Sequence, residues 1–339
     1  MVLAVLAVGY TLWITQDVVL PVLLAMFFAL VGNPIIRVLQ RLRIPRFLGA
    51  LAVLCGGIAL AVLLAQQLVQ PAGEWIREAP RELRSLAPKL QKLTKPVQEA
   101  NKAAENIARA AGGENTARPA QVVKTEVNDP YRSLTATPML VASILAVVLL
   151  TFFFMVFGQD LQRKAIALLP DRQKKKLTVG ILQAIETEVS RYVLTISVIN
   201  MVVGLVFAAA LYLLLGVPMD EALLWGTMAA LLNFAPYVGP LIGIVAMLLM
   251  GFASYEAPLQ ALAPAAIYLG LHTLEGQIVT PIVLGRTMAI SPLVLILGLM
   301  VFGSLWGIVG LLLAVPLLVC VKIVLARVEG MDGWARLLE

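Results

Sequence analysis

A polar turn inside an apolar run constrains this sequence more than any other feature. The turn covers residues 231–243 and contains Pro236, Gly239 and Pro240. Each apolar flank has only about a dozen residues, whereas a helix needs about 20 to cross a bilayer. Proline lacks a backbone donor and glycine permits non-helical dihedral angles, so several backbone groups lose their intrahelical partners. Because such groups are tolerated at membrane depth only inside protein or beside a wet cavity, the stretch predicts a broken, re-entrant-type hairpin.

A second interrupted stretch lies near the carboxyl end. Pro292 to Met300 is apolar, Gly303 to Gly307 interrupts the run, and Ile308 to Val321 is apolar again. A pair of short hydrophobic segments broken by Gly or Pro is the sequence pattern of a binding site between two membrane hairpins. Two ordinary helices that tolerate Gly and Pro are the alternative interpretation.

Composition agrees with a chain whose solvent is the lipid bilayer. Hydrophobic residues make up 60 % and charged residues 14 % of the sequence, against about 25 % charged residues in soluble domains. Cys55 and Cys320 lie in apolar runs, so we expect neither a disulfide nor a thiolate metal site. The formal charge of +6 is spread over loops that flank apolar runs. We therefore expect no nucleic-acid partner and no cofactor.

The order of apolar runs and basic loops predicts the fold. It is an all-α polytopic membrane protein with about five full transmembrane helices, additional spans, two Gly/Pro-broken hairpins and an extracytoplasmic helical insertion. Basic clusters at residues 37–46 and 163–176 have few acids. Because such clusters face the cytoplasm, both termini are predicted to be cytoplasmic. The predicted parts are N-terminal transmembrane helices (1–70), the insertion (71–137), a transmembrane helix (138–158), a cytoplasmic amphipathic helix (159–192), a core with the broken hairpins (193–327) and a cytoplasmic tail (328–339).

The insertion has a helical seam. Its apolar residues between positions 76 and 111 repeat every three or four residues, which is typical of a packed helical face. This face either meets neighbouring subunits of a homo-oligomer or rests on the membrane part of its own chain. Both interpretations stay open.

Several spaced motifs resemble the autoinducer-2 exporter family of bacterial membrane proteins. They are the run Asn233 to Pro240; Glu275-Gly276-Gln277 with Pro281 and Gly285; Pro292-Leu293 with Gly303, Gly307, Gly310, Ala314 and Pro316; and, near the amino end, Pro21 to Ala25, Pro34 and Ile44-Pro45-Arg46. The resemblance implies a multi-pass transporter of the bacterial inner membrane. It implies either export of autoinducer-2 in quorum sensing or antiport of sodium or lithium against protons. His272 departs from the family pattern, in which we expect glutamine.

Glu275 is the sharpest candidate for a transport residue. It is the only acid between Ala257 and Lys322, and an acid within the membrane indicates function by default. His272 lies one helical turn earlier on the same side, so the two could relay a proton or exchange it for a cation. The alternative is a Glu275 at the cytoplasmic interface that pairs with Arg286.

Three neutral polar residues and the breaks themselves complete the predicted pathway. Asn200, Asn233 and Gln277 could bind a monovalent cation or the hydroxyls of a small polar solute, or could only join helices. Tyr237 is interpreted as a gate or as a packing residue. The backbone positions in the prediction are Pro236, Gly239, Pro240, Gly303 and Gly307.

No enzymatic function is expected. The sequence has no phosphate loop, no G-x-S-x-G and no H-E-x-x-H, so no catalytic residue is predicted. A single His without a nearby Cys gives no basis for a metal site. A channel is the closest alternative to an alternating-access carrier, because broken hairpins also build selectivity filters.

Overall fold

The protein is an all-α polytopic membrane protein. The computed structural model describes residues 2–66, 73, 130–284, 290–328 and 330–338. Five helices in these ranges contain segments long and apolar enough to cross a membrane, namely α2, α3, α4, α5 and α10 as bounded here. The helices are α1 (Val2–Ile14), α2 (Gln16–Arg41), α3 (Arg46–Gln66), α4 (Pro130–Ala167), α5 (Arg172–Leu215), α6 (Met219–Leu232), α7 (Val238–Ser254), α8 (Pro258–Leu274), α9 (Thr280–Leu284), α10 (Pro292–Leu325) and α11 (Asp332–Leu337).

Two predicted boundaries fall inside continuous helices. The predicted cytoplasmic helix and the span after it form one helix, α5, which has 44 residues and contains no proline. Helix α4 likewise continues past residue 158 to Ala167. Except for Gly73 and the start of α4, the predicted insertion lies outside the described residues.

The first hairpin is present and is held in a four-helix bundle. Helices α6 and α7 are separated by the turn at residues 233–237. Gly204 of α5 and Gly226 of α6 are so close that a Cβ on either would collide with the other's carbonyl oxygen. Phe207, Trp225, Met247 and Tyr268, from α5, α6, α7 and α8 in turn, share one buried core. The arm α6 is thus packed against α5, and the arm α7 against α8.

The second hairpin is present within α10. Trp306 (φ −133°, ψ 15°) and Gly307 (φ 59°, ψ −138°) leave the helical region. A Cβ on Gly310 would collide with the Phe302 carbonyl oxygen, and Gly298 packs against Leu318. Contacts between residues so far apart in sequence require the two arms to fold back on each other. The predicted interruption at residues 303–307 is therefore a chain reversal at Trp306 and Gly307.

Helices α2, α3 and α4 share a core, and α2 contacts α5 through both apolar and polar side chains. Their shared core contains Ala29, Ile36, Ala50 and Met155. Glu186 of α5 accepts hydrogen bonds from Arg37 Nη2 (2.8 Å) and Asn33 Nδ2 (3.1 Å). Ser190 Oγ donates to the Leu30 carbonyl oxygen at 2.6 Å. Helix α5 therefore connects these helices to the hairpins.

Candidate functional site

Helix α5 provides a common scale for the depth of the neighbouring elements. Ring contact between Phe207 and Tyr268 (centroids 5.4 Å apart) aligns α5 with the antiparallel α8. Counting seven residues along each helix from that contact brings Asn200 level with Glu275. Asn200 also bonds directly to Asn233, at the end of α6.

The second hairpin reaches the same level. Ala184 and Glu188 of α5 line one small cavity with Ile323 and Val319 of α10, which sets an antiparallel register between the two helices. Continued along both helices, this register places Asn200 level with Gly307. By this ideal-helix count, Asn200, Glu275 and Gly307 fall at one level along α5. By helical rise that level is roughly 13 Å from Arg191 and roughly 22 Å from Leu215 along α5.

The asparagine pair joins the first break to α5. Asn233 Nδ2 donates to Asn200 Oδ1 at 2.9 Å, and the two residues are 9 % and 1 % exposed. Asn200 Nδ2 has no hydrogen-bond partner among the described residues. A buried amide donor without a partner is uncommon in proteins and calls for a bound water or ligand.

The turn after Asn233 is strained at Tyr237. Its backbone has φ 61° and ψ −49°, and the Val238 amide donates to the Pro236 carbonyl at 2.7 Å. A three-residue turn of this kind with positive φ is rare. Tyr237 itself is exposed, whereas Gly239 is buried against the Leu232 carbonyl oxygen. The strain is concentrated at the tip of the first hairpin.

Glu275 begins a π-helical turn, Glu275–Val279, through which α8 continues into α9. Turns of this type occur often at functional sites. The carboxylate Oε1 accepts a hydrogen bond from Thr280 Oγ1. Oε2 lies 4.0 Å from His272 Nδ1, and the side chains of His272 and Glu275 are 7 % and 11 % exposed. The predicted proximity of His272 and Glu275 is thus present, while Arg286 lies outside the described residues.

The ring of Tyr268 contacts the histidine. The Tyr268 and His272 ring centroids are 4.3 Å apart. Tyr268 Oη, His272 Nε2 and Trp306 Nε1 are buried and have no hydrogen-bond partner in the part of the chain that the structure describes. Asn200 Nδ2, Tyr268 Oη and His272 Nε2 thus have hydrogen-bonding capacity that no described side chain uses, and Trp306 Nε1 has the same at the second break.

A groove between α5 and the segment from α8 to α9 includes Glu275 in its lining. Its volume is about 690 Å³, within the usual size range of ligand sites. Thr195 and Glu275 are the polar side chains among its lining residues. The lining consists of Leu194, Thr195, Val198, Ile199, Val202, Val203, Val206, Leu271, Leu274, Glu275, Val279 and Val283.

The structure brings only some predicted residues together. Asn200 pairs with Asn233 and His272 with Glu275, whereas Gln277 is exposed on the π turn. Within the described ranges, no three His, Cys, Asp or Glu side chains are grouped to hold a metal ion.

Sequence reasoning missed Thr280, Tyr268 and Trp306. Tyr268 and Trp306 could have been found in the sequence, because each has a polar group inside an apolar helix. Thr280 could not, because it is five residues from Glu275 and this spacing does not bring side chains together in an α-helix.

Comparisons with known proteins give consistent matches. The family model described as AI-2E family transporter matches residues 2–330. The AI-2 transport protein TqsA of Escherichia coli K12 is 30 % identical over 339 aligned positions, covering 95 % of this chain and 90 % of TqsA. YhhT of the same organism is 26 % identical, covering 95 % of this chain and 88 % of YhhT. YrrI of Bacillus subtilis 168 is 30 % identical over 51 % of this chain and 48 % of YrrI.

Proposed function

The chain belongs to the AI-2E family of transporters, and from this premise we propose that it is a proton-coupled carrier in which Glu275 binds and releases the proton. One observation carries the proposal: a nearly buried carboxylate lies at a π turn and lines one groove with Ile199, the neighbour of Asn200. Charged groups at such depth are expensive and occur where protons or ions move. The adjacent His272 offers a second protonatable group for a relay.

We propose a small polar solute as the cargo. The buried groups without partners include the amide Nδ2 of Asn200 and the indole Nε1 of Trp306. Both atoms are donors only, and a donor cannot coordinate a cation. They suit the hydroxyl or carbonyl oxygens of a solute, which agrees with the name of the relative TqsA. Sodium or lithium antiport through Glu275 is the second candidate, supported by its carboxylate and by the Thr280 hydroxyl.

We further propose a bacterial cytoplasmic membrane location with both termini in the cytoplasm. The basic residues at 37–46 and 163–176 support this orientation. In it, the level of Asn200 lies nearer the cytoplasmic face, because Arg191 is closer to Asn200 along α5 than Leu215 is. Assembly into a homo-oligomer, as the seam at residues 76–111 suggests, belongs to the same proposal.

Reconstituted vesicles provide the test. Purified protein in liposomes with a trapped pH dye should move protons when given a gradient of the transported species, with autoinducer-2, sodium and lithium tried separately. Glu275→Gln should abolish this coupled proton movement. Glu256→Gln is the matched control, since it removes a carboxylate from the exposed loop between α7 and α8. Coupled movement that survives Glu275→Gln would reject the proton site, and flow of ions without proton coupling would favour the channel.

A further inference from the structure

We propose that Thr280 is the positioning residue of Glu275: the π turn brings its hydroxyl onto the carboxylate, where it stabilises the charged form. The inference deepens the proposed function and rests on it for the role of Glu275 in transport. The contact itself stands on geometry alone.

Helical geometry explains why the π turn matters. In an α-helix with 3.6 residues per turn, two residues five apart are separated by roughly 140° around the axis. Their side chains then lie on different faces and cannot meet. In the π turn the Thr280 amide donates to the Glu275 carbonyl oxygen, five residues earlier, and the Thr280 hydroxyl donates to Glu275 Oε1. Thr280 thus holds both the backbone and the side chain of the same residue.

The chemistry of this contact depends on the charge of Glu275. A hydroxyl has a single proton to donate, and its bond to an ionised carboxylate is stronger than its bond to a neutral group. A hydrogen bond of this kind favours the charged carboxylate over the protonated one. When Glu275 is protonated, the Thr280 hydroxyl bonds a neutral carboxyl group, and that bond is weaker. Removing the hydroxyl should therefore let Glu275 take up its proton at higher pH.

His272 and Tyr192 are titratable groups near Glu275. His272 of α8 is 4.0 Å from Oε2, and Tyr192 of α5 interacts with Glu275 electrostatically. The described residues of α9 are Thr280 to Leu284 and include no charged residue. Substitutions at Thr280 leave His272 and Tyr192 in place, so a change in proton binding can be assigned to the lost hydroxyl.

Infrared difference spectroscopy tests the inference without requiring transport. The carboxyl stretch of protonated Glu275, identified by its loss in Glu275→Gln, is followed against pH in reconstituted protein. For Thr280→Val we expect the pH at which half of this band is lost to rise by about one pH unit. Thr280→Ser, which keeps the hydroxyl, should retain the wild-type midpoint. Thr273→Val is the matched control, because that hydroxyl bonds the Leu269 carbonyl of its own helix at 2.7 Å.

Each outcome is informative. An unchanged midpoint in Thr280→Val, with or without slower transport, would overturn the positioning role. Thr280→Ala replaces Thr280→Val in this comparison if the valine variant does not fold. If wild-type vesicles show no proton-coupled transport, the proposed function is rejected. If Thr280→Val still shows the expected midpoint shift, the positioning role stands. If no Glu275 band titrates in the wild type, both proposals fall.

Discussion

Replacing Gly307 by alanine should destabilise the second hairpin by about 1–3 kcal/mol, the usual cost of holding a non-glycine residue in a sparsely populated backbone region. Gly307 has φ 59° and ψ −138°, a combination that side chains with a Cβ rarely adopt. A Cβ built there meets no atom within 4 Å. The expected loss is therefore conformational and contains no steric part.

Gly270→Ala is the matched control for this prediction. A Cβ at Gly270 also meets nothing within 4 Å, but Gly270 lies in the helical part of α8. Alanine is favoured there by roughly 0.5–1 kcal/mol. The two variants should thus differ by roughly 1.5–4 kcal/mol in free energy of unfolding, with opposite signs relative to the wild type.

Denaturant titration in detergent measures this difference. Far-UV circular dichroism follows global unfolding, and tryptophan fluorescence adds a local signal, because Trp306 is adjacent to Gly307. Gly307→Asn should fare no better than alanine, because asparagine tolerates the left-handed helical region but not ψ near −138°. At Gly216, with φ 66° and ψ 21°, asparagine should be tolerated. Equal stability of Gly307→Ala and Gly270→Ala would refute the reasoning.

Four further predictions concern the packing and backbone around the site and use the same unfolding assay. Gly204→Ala should lose about 1–3 kcal/mol, since its Cβ would press on the Gly226 carbonyl; wild-type stability would contradict the close approach. Asn233→Ala should lose about 1–3 kcal/mol by leaving the buried Asn200 amide wholly unpaired. A double replacement of both asparagines by leucine should lose less than the two single changes summed, and strict additivity would argue against their pairing. Tyr237→Gly should gain about 1 kcal/mol by releasing its positive φ, and a loss would show that the turn is unstrained.

Apolar run lengths and Gly/Pro positions were sufficient to predict the hairpins, because backbone interruptions inside a bilayer leave a compositional trace. They could not predict that α5 is continuous. The stretch before Tyr192 is amphipathic and the stretch after it is apolar, so their periodicities differ. One helix nevertheless contains both, and no proline interrupts it. The sequence also did not show which of residues 303–307 reverses the chain in α10. Gly303 and Gly307 can both adopt non-helical dihedral angles.

The candidate site shows the same division. His272 and Glu275 follow the three-residue spacing of an α-helix, so their proximity was predictable. Thr280 was not, because a π turn adds a residue that no local pattern announces. The Asn200 and Asn233 contact joins residues 33 apart in sequence, and only the tertiary packing of α5 against α6 specifies it.

The unequal distances from Asn200 to the two ends of α5 have an electrical consequence. A unit charge that crosses the whole membrane gains about 2.3 kcal/mol per 100 mV. In the proposed carrier, with Leu215 and Arg191 near the two membrane faces, a proton that reaches Glu275 from the Leu215 side traverses most of that voltage. A proton from the Arg191 side traverses the smaller remainder. Proton binding from the two sides should therefore respond unequally to membrane potential, in the ratio of those two path lengths.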